Sequence, residues 1–155
     1  MDRWRRFRRL SRAEQGVLLR ALILLPVTAA GLRVFGFRRW QSVLARWGSA
    51  RNKRGDNFAE DLLETARMAA RMVNAAGRHG LGRPNCLKQS LVLCWLLRRD
   101  GIPSVLRIGV RKESGRFQAH AWVEYAGAVL NDSDEVHQHY AAFDSDIAPS
   151  PVSPR

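Results

Sequence analysis

The spacing of apolar residues changes character partway along the chain. From Val17 to Leu25 they recur at helical spacing, behind Ser11 and Glu14, which form an S-x-x-E capping box. This predicts a helix from Arg12 to Leu25, ended or kinked by Pro26. A second, short helix is predicted over Arg38–Trp47, basic and rich in tryptophan. Gly48–Asn57 is a polar break and the best internal boundary. Asn57 then caps a third helix, with Glu60 in capping-box position, an apolar face of Leu62, Ala66, Ala69 and Val73, and Gly77 and Gly80 bracketing its end. A fourth helix starts at Asn85 or Cys86. Its Leu91–Leu97 stretch is apolar all round, so it should be central and buried; Asp100, Gly101 and Pro103 stop it. After that the period falls to two. Ser104–Val110 reads as a strand, Lys112–Gly115 as a turn, Phe117–Glu124 as a second strand and Ala128–Asp132 as a third. The tail "SDIAPSPVSPR" has no pattern and three prolines, which predicts disorder over 144–155. No internal repeat is present.

Helices followed by an antiparallel meander give an α+β fold. Its expected parts are a basic helical region at 1–54, a core at 55–143, in which a central buried helix packs on the sheet, and the tail. A chain of 155 residues with 46% hydrophobic content can bury a real core.

Charge refines this picture. The net charge is +12, and residues 1–54 account for all of it: fourteen Arg and Lys stand against Asp2 and Glu14, while the remainder of the chain is balanced. Such a block favours an anionic partner or is a solvated face. The N-terminal segment also imitates a signal peptide, basic and then apolar. Ala21–Leu32, its longest uncharged stretch, has twelve residues, fewer than the roughly twenty that span a bilayer. The basic "RVFGFRRW" follows instead of a cleavage site. The alternative for this segment is an amphipathic helix lying on a membrane.

Two cysteines do not make a disulfide framework. Eight residues apart on one helix, Cys86 and Cys94 stand about 12 Å from each other, too far to pair. Free thiols point to a reducing, cytoplasmic setting. The two thiols differ in kind. Cys94 lies between Leu93 and Trp95 and reads as core packing. Cys86 follows Pro84 and Asn85 at a helix start, where unpaired N–H groups and the helix dipole stabilise a thiolate.

A nucleophilic thiol needs an imidazole, and the imidazole an orienting acid. His120 shares a strand face with Trp122 and Glu124. If Tyr125–Ala126–Gly127 is a three-residue hairpin loop, residue numbers across the hairpin sum to 252 and Asp132 stands opposite His120. Asp134, two further along, is the second candidate. The N–H of Cys86 is a candidate oxyanion donor, with Gln118 a weaker one. Cys86, Cys94, His120 and His137 lack the spacing of a zinc site, so neither metal nor other cofactor is expected.

These residues carry a resemblance. "CLKQSLVLCWLLRRDGIPSVLRIGVR" followed by "FQAHAWVEYAGAVLND" resembles the transglutaminase-like, papain-related peptidases that remove the leader in lasso-peptide biosynthesis. The set covers roughly residues 83–132. The resemblance implies a Cys–His–Asp triad at Cys86, His120 and Asp132. It implies cleavage of a ribosomally made precursor peptide, before ring closure by a separate ATP-dependent cyclase. No winged-helix pattern precedes residue 50, so the chain resembles the stand-alone peptidase half, with a separate recognition protein presenting the leader. Arg5, Arg6, Arg8 and Arg9 would then dock that protein or the leader itself, and nucleic acid is not the expected partner. Two rivals stand beside this reading. One is acyl transfer to an amine on the same triad. The other is a non-enzymatic binding protein that works through its basic N-terminal third.

Overall fold

The computed structural model describes residues 7–47, 59–79, 85–113 and 115–142. Three helices come first: α1 (Arg12–Trp47), α2 (Ala59–His79) and α3 (Cys86–Arg99). Strands β1 (Val105–Glu113), β2 (Arg116–Tyr125) and β3 (Ala128–Val129) follow, then the single turn α4 (Val136–His139) and a short strand β4 (Ala141–Ala142). The sheet order is β3-β2-β1-β4, with each neighbouring pair antiparallel. The α+β expectation holds.

The capping box forms as read: Ser11 N–H donates to Glu14 Oε2 at 2.8 Å, and Glu14 N–H to Ser11 Oγ at 3.2 Å. These bonds hold the Glu14 carboxyl below the usual range. The end of the first helix is not where Pro26 suggested. α1 runs through Pro26 and breaks at Gly36, whose φ of 72° is left-handed. Pro26 is exposed, and so is Leu22, whose carbonyl it leaves without a helical partner. Val17, Ala21, Leu25 and Thr28 are buried on either side of it and hold the helix together. Gly36 then folds the chain back, so that the Trp40 ring lies over Gly31. A Cβ on Gly31 would come within 2.5 Å of three Trp40 ring atoms, so no larger residue fits there. The segment after Gly36 is the expected second helix.

α1, α2 and α3 share one core. Ala21, Trp40 and Leu44 meet Ala66, Ala69 and Val73 of α2 and Leu93, Leu96 and Leu97 of α3. As its apolar run predicted, α3 is the central helix, buried from Ser90 to Leu97 except at Trp95. Its end matches the sequence as well: Asp100 is the C-cap, and Gly101 follows at φ 81°. The break at Gly48–Asn57, the cap at Asn57, Gly80 and the tail lie outside the described residues.

The sheet departs from expectation at its far end. β1 and β2 are longer than predicted, pairing from Val105↔Glu124 to Glu113↔Arg116. β3 is shorter, and its register differs by one: Glu124 pairs with Val129 and Tyr125 with Ala128, so the numbers sum to 253. The hairpin loop has two residues, Ala126 and Gly127, with φ of 49° and 80°, a pair of left-handed residues as in a type I′ turn. A non-glycine seldom takes that conformation, and for this reason the sequence favoured a longer loop. α4 and β4 were not foreseen. A single turn and a two-residue strand are too short to show periodicity.

Candidate active site

The α3–β2 interface places the first two candidate residues. Ala121 and Val123 turn towards the helical core, and Ser90 of α3 donates its hydroxyl to the Ala121 carbonyl at 2.9 Å. One turn further on, Ser104 Oγ donates to Cys94 Sγ at 3.5 Å; Ser104 precedes Val105, the partner of Glu124. So α3 runs alongside β2 in the same direction. Cys86, one turn before Ser90, therefore stands at the level of Ala119 and His120.

Cys86 is half-buried at the first position of α3. Asn85 caps the helix, its Oδ1 accepting from Leu87 N–H at 2.9 Å and Lys88 N–H at 3.3 Å. The N–H of Cys86 is thus left as a first-turn donor without a hydrogen-bond partner among the described residues, the arrangement an oxyanion site requires. Cys94 is buried against Ser104, and burial pushes its thiol up, away from the thiolate.

His120 sits at the middle of β2, opposite Gly109 of β1. Its Nε2 is hydrogen-bonded to Asp132 Oδ2. Asp132 is held in turn by the N–H of Ser133, which donates to Oδ1 at 2.7 Å. The imidazole stacks on Tyr140, with centroids 5.0 Å apart. Gly109 makes room for this, since a Cβ there would come within 3.0 Å of the Tyr140 Cβ. The ring and the carboxylate are both partly exposed, at 23% and 30% of their side-chain surface, so solvent or a substrate can reach them. With Nε2 engaged by the carboxylate, Nδ1 is the ring nitrogen left for a thiol. The Cys86 thiol makes no hydrogen bond to the ring among the described residues, and such contacts commonly tighten only when substrate binds.

Asp132 does not reach His120 through a continued strand. The ladder ends where Leu130 N–H donates to the Val123 carbonyl at 2.9 Å. Val123 N–H goes instead to the side chain of Asn131, donating to Oδ1 at 2.8 Å. Asn131 Nδ2 then donates to Ser90 Oγ at 2.9 Å. Asn131 thus takes over a strand bond and turns the chain out of the sheet, and the next residue, Asp132, meets the imidazole. Ser90 and Asn131 join the helix of Cys86, the strand of His120 and the loop of Asp132 through side-chain bonds. Neither was a sequence candidate, although "S" one turn after the cysteine and "ND" together were visible. Ser90→Ala removes a donor and an acceptor from the interior and should destabilise the fold by about 1–3 kcal/mol, read as a lower urea midpoint at unchanged slope.

The other candidates fall further off. Asp134 is exposed and makes no bond to His120. Gln118 lies on the His120 face of β2 towards its outer end, its Oε1 accepting from Arg111 at 2.8 and 3.1 Å. Arg8 and Arg9 are exposed ahead of α1; Arg5 and Arg6 lie outside the described residues. Trp122 is fully buried behind His120, and its Nε1 donates to Glu124 Oε1 at 2.7 Å. Glu124 also pairs with Arg107 at 3.2 Å and approaches His137 at 3.4 Å, so it anchors the wall below the imidazole. Among the described residues no cluster of His, Cys, Asp and Glu could hold a metal ion.

A thiol at the capped start of a helix that packs on the strand carrying an imidazole–carboxylate pair, in an antiparallel sheet, fits a cysteine-centred α+β class, the transglutaminase-like and papain-like arrangement. The family comparison agrees: the model described as the Transglutaminase-like superfamily matches residues 31–144, about three quarters of the chain. The chain belongs to that superfamily, whose members typically carry a cysteine-protease-like centre. No curated protein and no solved structure matches it.

Proposed function

We propose that this protein is a cysteine peptidase that removes the leader from a ribosomally made lasso-peptide precursor. The observation that carries the chemistry is the His120–Asp132 pair at the level of Cys86. The choice of substrate rests on the motif set of residues 83–132, which resembles the lasso leader peptidases. Cys86 gives its proton to His120 Nδ1, and Sγ attacks the carbonyl carbon at the leader–core junction. The Cys86 N–H supports the oxyanion. Asp132 holds the ring in the tautomer that accepts the proton and steadies the imidazolium. His120 then returns the proton to the departing amine, the new N-terminus of the core peptide. The leader remains as a thioester on Cys86. Water, deprotonated by His120, hydrolyses the thioester, which frees the leader carboxylate and restores the thiol. The released core amine is the group that a separate ATP-dependent cyclase would join into a ring. A separate recognition protein presents the leader, and the basic segment around Arg8 and Arg9 meets the pair through complementary charge.

The test is incubation with the precursor encoded beside this gene and the recognition protein, followed by mass spectrometry. The expected products are a leader with a free carboxylate and a core with a free amine. An intact precursor would refute the peptidase reading, and a leader joined to an added amine would mean acyl transfer.

A further inference from the structure

Six of the seven large hydrophobic residues that stand exposed among the described residues lie on α1, which is unusual for a surface helix. Leu19, Leu22, Ile23, Val27 and Val34 are 36–73% exposed. At 100° per residue they share the arc opposite Val17, Ala21, Leu25 and Thr28, which are buried against α2 and α3. The stripe from Leu19 to Val34 is about 22 Å long. Most of it precedes residue 31, where the family match begins.

We propose that this outward face of α1 is a docking surface for an anionic lipid bilayer. The charge around the stripe selects that partner. Arg12 lies ahead of it, Arg20 and Arg33 flank it, and Arg38 and Arg39 follow the Gly36 break; all five are exposed. The only acidic residue of α1 is Glu14, whose carboxylate is occupied by its bonds with Ser11. An apolar stripe edged by arginines, with no acidic residue along its length after Glu14, fits lipid tails below a layer of phosphates: the stripe enters the boundary and the guanidinium groups reach back to the headgroups. By length and composition Arg12–Leu44 could also cross a membrane. The packing argues against crossing, because Val17, Ala21 and Leu25 are buried in the core shared with α2 and α3 and are not available to lipid. The helix therefore lies in the interface, and the catalytic half of the molecule is held beside the membrane. This proposal stands apart from the peptidase reading and does not depend on it.

The experiment is co-sedimentation of the full chain with vesicles of phosphatidylcholine alone or with phosphatidylglycerol added. Binding is expected to the anionic vesicles and to be reversed by salt. Ile23→Glu with Val34→Glu should weaken partitioning more than about tenfold, and Arg20→Gln and Arg33→Gln about fivefold each. All four side chains are exposed, so circular dichroism and the rate of Cys86 alkylation should not change. Equal binding to both vesicle types, no binding, or unaltered binding by the Glu variant would overturn the proposal. So would a wild-type dimer in the absence of lipid that the same substitutions dissolve, since the stripe would then join two copies. Resistance to extraction by salt would mean a spanning helix and would overturn it as well.

Discussion

Replacing Cys86 with alanine should abolish leader cleavage while the protein stays folded, whereas Cys94→Ala should keep most of its activity. The expectation follows from the two environments. Cys86 is half-buried at a capped helix start at the level of the His120–Asp132 pair. Cys94 is buried, hydrogen-bonded to Ser104 and held in its protonated form by desolvation. Without the nucleophile no thioester can form, so loss should be near total, at least about a thousandfold. Cys94→Ala leaves a small cavity and should cost about 1–2 kcal/mol of stability. Precursor cleavage is measured by mass spectrometry and folding by circular dichroism. Iodoacetamide should label Cys86 before Cys94. Equal cleavage by the two alanine variants would remove the basis for the peptidase reading.

The second large effect concerns the carboxylate. Asp132→Asn should slow cleavage by about a hundredfold or more, and Asp134→Asn should change it little. Among the described residues Asp132 is the carboxylate bonded to the imidazole, and an amide in its place neither stabilises an imidazolium nor fixes the required tautomer. The comparison is made on kcat at saturating precursor, because neither residue is proposed to bind the leader. Reversed effects would place the working acid at Asp134 and discard the proposed role of Asp132.

The hydrogen bond between His120 and Asp132 was anticipated, but by a wrong route. From the sequence, Asp132 meets His120 through a three-residue loop and a continued strand. The protein has a two-residue turn, and its chain leaves the sheet at Asn131. Two departures offset each other: the shift of register would have put Asp132 on the opposite face, and the exit from the strand brings it back. Period-two alternation made β1 and β2 legible, and the all-round apolar run did the same for α3. Nothing in α1 marked Gly36 over Pro26 as the break. That choice rests on Trp40 packing over Gly31 across the fold, and tertiary contacts of this kind leave no local pattern. Tyr140 was hidden for the same reason: it reaches His120 only because β4 crosses to the far edge of β1.

The Ser90–Asn131 contact also sets how the site fails under stress. Val123 N–H is donated to a side chain rather than to the neighbouring strand, so its exchange with solvent deuterium reports on the seating of the Asp132 loop. Ser90 is fully buried and is bonded to that same Asn131. Unseating the loop therefore also removes a partner from a hydroxyl inside the core. The loop cannot wander cheaply while the rest of the fold stays intact. A warmed sample should keep its imidazole–carboxylate alignment nearly until it melts, and lose both together.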